Sequence, residues 1–156
     1  MTLKLLIKSQ FDIEVDSACN GKEAVDKFKQ KIDNYSKLDK VCERESYRLI
    51  FMDLNMPIMD GFDASEIILK MQSEKQAPKC EIIALSAFVN QPYIERCMNI
   101  GMAQFMNKPA QSKDIKELIR KYCPFLSAEK SSMSRLKSPK KTTDKDIQIR
   151  KKRRHS

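Results

Sequence analysis

The chain has 156 residues, which suits one ordinary domain with an extension and is too short for two full domains. Hydrophobic residues make up 41% and glycines number three, so the composition excludes collagen-like and wholly disordered proteins. The five cysteines never form a C-x-x-C pair, and the one histidine is His155. We therefore expect reduced thiols, and we exclude histidine-based metal centres and Ser-His-Asp hydrolysis.

Charge divides the chain near residue 126. Residues 127–156 hold eleven lysines and arginines against three acidic residues, a net charge of +8, whereas residues 1–126 hold nineteen against eighteen, a net charge of +1. We expect a folded domain over 1–126 and a basic, disordered tail over 127–156. The longest apolar runs, 49–52 and 82–85 among them, are far shorter than the ~20 residues of a transmembrane helix, so we expect no membrane span.

Helical and strand patterns alternate in the first half of the domain. Residues 3–7 place apolar side chains on one face of a short helix, and residues 11–18 (FDIEVDSA) alternate as a strand does. Asn20-Gly21 indicates a turn, and an amphipathic helix follows from Lys22 to about Lys31. The polar stretch up to residue 46 leaves open whether this helix continues.

The second half repeats a unit of one apolar strand and one helix. The predicted strands are 47–52, 81–85 and 103–106, and the helices that follow them are 61–73, 92–101 and a last helix that Ser112 caps and Pro124 ends. This alternation predicts an α/β fold, a doubly wound parallel sheet with helices on both faces.

Polar side chains follow each of the three apolar strands. They are Asp53, Ser86 and Lys108. Ligand sites of open parallel sheets lie beyond the carboxyl ends of the strands, so we expect these side chains to converge. An aspartate after a strand is, taken alone, more often a turn or capping residue. A carboxylate, a hydroxyl and an amine together fit phosphoryl transfer, with Asp53 as the oxygen nucleophile and the other two holding phosphoryl oxygens.

Three segments of the chain resemble the receiver domain of two-component response regulators. They are LIFMDLNMPIMDGFDA, IIALSAF and GMAQFMNKPA, and the resemblance extends over residues 3–122. It implies a flavodoxin-like fold and a phosphoacceptor signalling domain rather than an enzyme. The implied partner is a histidine kinase or a histidine phosphotransfer protein, and the implied cofactor is Mg²⁺.

The resemblance also implies a role for individual residues. Asp53 would be the phosphoacceptor, the backbone carbonyl of Asn55 a magnesium ligand, and Ser86 the hydroxyl that moves towards the phosphoryl group. Phe105 would be the aromatic switch residue. Lys108 would pair with phosphoryl oxygens, and its peptide bond to Pro109 would be cis.

One part of the family pattern does not appear in this sequence. Receiver domains begin with a strand that precedes the first helix and ends in an acidic pair that holds the magnesium, and this strand is the central one in their 2-1-3-4-5 order. Here the first helix begins at about Thr2. Three explanations stand, in this order: an incomplete, N-terminally truncated chain, a degenerate receiver, or a sheet completed by a strand from another molecule. We expect the chain as given to bind Mg²⁺ weakly and to be phosphorylated poorly at Asp53, and the same chain with an upstream strand ending in Asp-Asp to do both.

A second function class remains open beside the phosphoacceptor. It is a non-phosphorylated pseudo-receiver that acts as a binding module, with the tail contacting nucleic acid or an acidic partner. The runs 150–154 (RKKRR) and 138–141 (SPKK) suggest this partner class. We expect a cytoplasmic protein, with nuclear import through the first run as the less favoured alternative. We expect the output of the domain to be either partner binding or part of a larger chain of which this domain is the C-terminal end, such as a hybrid histidine kinase.

Overall fold

The computed structural model describes residues 3–37 and 46–126. Within this part of the chain the elements are α1 (Leu3–Phe11), α2 (Gly21–Lys37), β1 (Leu49–Asp53), α3 (Gly61–Ser73), β2 (Glu81–Ser86), α4 (Gln91–Ile100), β3 (Gln104–Asn107) and α5 (Ser112–Tyr122). The predicted tail, 127–156, lies outside the described residues. No described helix is both long enough and apolar enough to span a bilayer.

The three strands form a parallel sheet in the order β1-β2-β3. The predicted parallel α/β architecture is confirmed, with the ends of the strands shifted by one or two residues. The register pairs Asp53 with Leu85 and Ser86 with Asn107, so the carboxyl ends of all three strands meet at one edge of the sheet. Among the described residues, no strand pairs with β1 on the side away from β2.

The strand predicted at residues 11–18 is wrong. Phe11 is the last residue of α1, and the residues after it belong to no strand, although Ile13 and Val15 are half-buried between exposed polar neighbours as the pattern predicted. Asp12 has a φ of 54°, which interrupts an extended path at its start. A strand needs a hydrogen-bonded neighbour, and none of the described strands lies along this segment. The alternation of apolar and polar residues therefore produces half-buried apolar side chains here, but the segment forms no hydrogen-bonded β-ladder.

Two helices have ends that differ from the predicted ones. Helix α2 continues to Lys37, beyond the predicted end near Lys31. The last helix begins at Ser112 as its first residue; the N-cap is Gln111, whose side chain makes no capping hydrogen bond, so the predicted Ser112 cap is wrong. Gly101 ends α4 in the left-handed conformation, with a φ of 101°, as the sequence indicated.

The sheet buries both of its faces. On one face Ile82 and Ala84 join a core cluster with side chains of α2, α3 and α4, among them Phe28, Ile68 and Cys97. Their neighbours along β2, Ile83 and Leu85, point to the opposite face because side chains alternate along a strand. The other buried hydrophobic residues include Ile7 of α1 and Ile115, Leu118 and Ile119 of α5. Burial on both faces explains why the strands are continuous apolar runs.

Candidate functional site

The carboxylate that ends β1 and the lysine that follows β3 contact each other. Lys108 Nζ donates to Asp53 Oδ2 across 55 residues of sequence. Both side chains keep solvent access, with 33% of the Asp53 side chain and 37% of the Lys108 side chain exposed. The contact forms because parallel strands deliver their carboxyl ends to one edge. The predicted convergence of these two residues is therefore observed, and the charged pair remains open to a ligand.

Ser86 ends β2 between these two residues. The side chain is fully buried, and its Oγ accepts a hydrogen bond from the backbone N–H of Phe88 at 3.0 Å. The Ser86 carbonyl accepts from the Lys108 backbone N–H at 2.8 Å, which fixes the start of the loop after β3. A hydroxyl that accepts one bond still has a proton to donate. Ser86 directly follows Leu85, the register partner of Asp53, at this edge of the sheet.

The loop after β1 is held by close backbone contacts. The Asn55 N–H donates to Asp53 Oδ1 at 3.0 Å, and the Gly61 N–H donates to the Leu54 carbonyl at 3.2 Å. A Cβ on Gly61 would lie 2.1 Å from the Asp53 carbonyl oxygen, so only glycine permits this approach. Gly61 was predicted only to lead into the helix, and its role in placing Asp53 is a finding of the structure.

The start of α2 supports the same loop from the other side. The Gly21 N–H donates to the Met59 carbonyl at 3.0 Å, and a Cβ on Gly21 would lie 2.5 Å from that oxygen. Asn20 Oδ1 caps the helix by accepting from the Glu23 N–H at 2.9 Å, and Glu23 accepts from the Cys19 N–H at 2.8 Å. Asn20-Gly21 was interpreted as a simple turn. The capping pattern N-x-x-E can be recognised in the sequence, whereas the contact between Gly21 and Met59 cannot.

Phe105 lies in β3 beside Ala84, two residues before the partner of Ser86. Its ring is half-buried and packs against the core cluster. The Lys108–Pro109 peptide is cis, as the resemblance implied. The position of Phe105 next to the strand that carries Ser86 is compatible with a packing switch, and that role remains a prediction.

The described residues do not by themselves fit a magnesium site. They contain no group of three or more histidine, cysteine, aspartate or glutamate side chains arranged to hold a metal ion. Asp53 already directs one oxygen to the Asn55 N–H and the other to Lys108. Mg²⁺ is usually held by one or two carboxylates with waters completing its octahedral shell, and here the one carboxylate at the strand ends already pairs with a lysine. We therefore derive no chemical step through a metal.

Neither the described cysteines nor the lining of a groove between α3 and α4 includes any of the predicted site residues. Cys19, Cys80, Cys97 and Cys123 are free thiols, and burial raises the pKa of Cys80 to about 12, so it stays protonated at neutral pH. Cys42 lies outside the described residues. An open groove of about 630 Å³ runs between α3 and α4, and its lining includes Glu66, Glu95 and Arg96 but none of the predicted site residues.

Comparisons with known proteins identify the family of this chain. The family profile of the response regulator receiver domain matches residues 1–120. Hybrid signal transduction histidine kinase L of Dictyostelium discoideum is 36% identical over 109 residues, covering 70% of this chain and 6% of that protein. The osmosensing histidine protein kinase SLN1 of Saccharomyces cerevisiae is 29% identical over 131 residues, covering 81% of this chain and 10% of that protein.

A solved structure shows the same fold. The receiver domain of the histidine kinase CKI1 from Arabidopsis thaliana, complexed with Mg²⁺ and BeF₃⁻, is 27% identical and superposes with a TM-score of 0.58. The superposition covers 67% of this chain and 70% of that one. The chain spans only a small fraction of the curated kinases that it matches. Because the profile covers most of the chain and the carboxylate, hydroxyl and lysine of the site occupy its strand ends, the chain belongs to the response regulator receiver domain family.

Proposed function

We propose that this receiver domain accepts a phosphoryl group from a phosphohistidine onto Asp53. The observation that carries the proposal is the contact between the Asp53 carboxylate and the Lys108 ammonium beside the buried Ser86 hydroxyl. A partly exposed carboxylate with a cation and a donor at its side is suited to receive an anionic group. The proposed donor is a histidine kinase or a histidine phosphotransfer protein.

The transfer exchanges one bond for another. An Asp53 oxygen attacks the phosphorus atom, the new O–P bond forms, and the N–P bond breaks with its electron pair left on the imidazole. The ammonium of Lys108 shifts from the carboxylate to the phosphoryl oxygens, where it offsets negative charge. Ser86 donates its hydroxyl proton to another phosphoryl oxygen, and the space that it leaves lets the Phe105 ring change its packing. The signal is this conformational change.

Phosphorylation of the intact chain tests the proposal. Incubation with acetyl phosphate, followed by mass measurement, should show incorporation of one phosphoryl group that Asp53→Asn abolishes, slowly in the chain as given and faster when a strand ending in Asp-Asp is added ahead of it. Asp60→Asn is the matched control, because Asp60 lies in the same loop and caps α3 by accepting from the Asp63 N–H, a bond that asparagine can also make. Equal incorporation in wild type and Asp53→Asn would contradict the proposal.

A pseudo-receiver is the second candidate. The described residues hold no group of acidic, histidine or cysteine side chains arranged to bind a metal, and a receiver that binds no metal would act by binding partners without accepting phosphate. The same experiment separates the two candidates. A chain that takes up no phosphoryl group even with an acidic strand supplied ahead of it would support the binding module.

A further inference from the structure

A backbone contact from the start of α2 holds the far end of the loop that follows β1. The Gly21 N–H donates to the Met59 carbonyl at 3.0 Å. A Cβ on Gly21 would lie 2.5 Å from the Met59 carbonyl oxygen and 2.8 Å from the Asp60 carbonyl oxygen. Both are backbone atoms that cannot rotate away, so the close approach of the two segments requires glycine. The start of α2 therefore fixes the position of Met59.

The residue before Met59 has a strained backbone. Ile58 has a φ of 71°, and the Met59 N–H donates to the Pro57 carbonyl at 2.8 Å, which closes a three-residue turn around Ile58. A β-branched residue in this conformation is a steric outlier that costs stability. The Ile58 side chain is 80% exposed, so its own packing does little to offset that cost. The turn therefore depends on the backbone contacts that hold its ends.

The same loop begins at the proposed phosphoacceptor. The Asn55 N–H donates to Asp53 Oδ1 at 3.0 Å, and Pro57, two residues further on, has a fixed φ. Few free torsions therefore separate this N–H from the strained turn. If Ile58 relaxed to a negative φ, the Asn55 N–H would move away from the carboxylate. Asp53 would then keep the bond from Lys108 and lose the one from Asn55.

We infer that Gly21 is a positioning residue for phosphoryl uptake, because it orients the Asp53 carboxylate by holding the Ile58 turn closed through Met59. The inference rests on the proposed function. Gly21 packs against Met59 and Asp60 rather than against the reacting carboxylate, so it acts on the reaction through the loop. A displacement of about 1 Å from the productive geometry can slow a reaction by about 100-fold. The contact therefore sets the rate of transfer to Asp53.

Two substitutions in the intact chain, alone and combined, test the inference with acetyl phosphate as the donor. Gly21→Ala should lower the maximal rate of phosphoryl uptake by at least about tenfold and leave the half-saturating acetyl phosphate concentration unchanged. Ile58→Gly alone should keep the rate within about twofold of wild type, because glycine adopts a positive φ without strain. In the double variant the turn persists without the contact from α2, so the rate should return to within about threefold of wild type.

A control variant separates positioning from general loss of stability. Ile68→Val removes one methylene from a fully buried side chain of α3, seven residues after Gly61, and should lower the urea midpoint without changing the rate. If Ile68→Val slowed uptake as much as Gly21→Ala, the rate would simply follow stability and the inference would be wrong. A double variant as slow as Gly21→Ala would overturn it too, since Gly21 would then not act through the turn.

Amide exchange decides the inference where rates cannot. In wild type the amides of Gly21, Met59 and Asn55 should have similar protection factors, because loss of the contact between Gly21 and Met59 releases the other two. Protection of Gly21 more than about tenfold above that of Asn55 would overturn the inference, even if Gly21→Ala did not fold. If wild type takes up no phosphoryl group, the proposed function fails. Positioning by Gly21 is then supported if Gly21→Ala lowers the protection of Asn55 and the double variant restores it, and overturned if that protection is unchanged.

Discussion

Because Gly61 has no side chain, its backbone can pack directly against Asp53 and Leu54 at the start of the loop after β1. A Cβ there would meet the Asp53 carbonyl oxygen at 2.1 Å and the Leu54 Cα at 2.9 Å, both backbone atoms that cannot rotate away. We expect Gly61→Ala to lower the free energy of unfolding by about 1–3 kcal/mol, the usual cost of overpacking. It should also slow phosphorylation of Asp53 by acetyl phosphate, because the carboxylate is displaced from Lys108. Urea unfolding and intact-mass kinetics measure the two effects.

Gly101→Ala is the control for that change. Gly101 has a φ of 101°, so alanine is strained there, but its Cβ would meet only the Leu69 side chain at 3.6 Å. Stability should fall while the phosphorylation rate of Asp53 is kept. Similar phosphorylation rates in both variants would show that the Gly61 contact does not position the carboxylate.

The residues of the site differ in how far the sequence reveals them. Asp53, Ser86 and Lys108 each follow an apolar run, so the rule that parallel strands end at one edge was enough to bring them together. Gly21 and Gly61 act through backbone approaches between segments distant in sequence, and no local pattern encodes such distances. The positive φ of Ile58, 71°, could not be predicted from the sequence either, because isoleucine rarely adopts this conformation.

At the scale of elements, the periodic patterns predicted the five helices and the three paired strands of the described residues, and they failed where an element depends on a neighbour. Residues 11–18 alternate, yet alternation alone cannot supply the backbone partners that define a strand. Instead the segment is tied by a side chain: the Tyr47 hydroxyl donates to Asp16 Oδ2 at 2.5 Å, and the Tyr47 ring stacks on Phe28 with centroids 6.2 Å apart. The contact links this segment to α2 and to the start of β1.

Tyr47→Phe tests this tie. We expect the free energy of unfolding at neutral pH to fall by about 1 kcal/mol, the net value of one hydrogen bond, with faster amide exchange in residues 12–18. Burial, followed by the bond to Asp16, raises the pKa of Tyr47. A raised folded-state pKa stabilises the fold below the unfolded value of about 10 and loses that contribution as the pH rises beyond it. Wild type should therefore lose more stability than Tyr47→Phe above pH ~10. If the free energy of unfolding of the two proteins changed with pH in parallel, the hydrogen bond between Tyr47 and Asp16 would not be what stabilises the fold.

At the scale of the whole molecule, the unpaired edge of β1 is the feature that limits the site, because no described strand lies beside it on that side. Four of the five residues of β1 are only half-buried, whereas five of the six in β2 are buried. Within the described residues the backbone groups on that side have no strand to bond, and such an edge invites pairing. A strand added in parallel beside β1 would end at the same edge as Asp53, where the carboxylates needed for a metal are lacking.

Adding a strand that ends in Asp-Asp ahead of Met1 should therefore strengthen metal binding. A parallel strand against β1 brings its last side chains beside Asp53, which gives Mg²⁺ the further carboxylates that it needs. We expect Mg²⁺ to bind at least about tenfold more tightly than to the chain as given, a gain of roughly 1.4 kcal/mol, and beryllofluoride to shift the backbone NMR signals of Ser86 and Lys108. The same strand ending in Asn-Asn is the control, because it should protect the β1 amides from exchange equally well without binding the metal. If beryllofluoride produced equal shifts with and without the added Asp-Asp strand, the acidic pair would not be what limits this site.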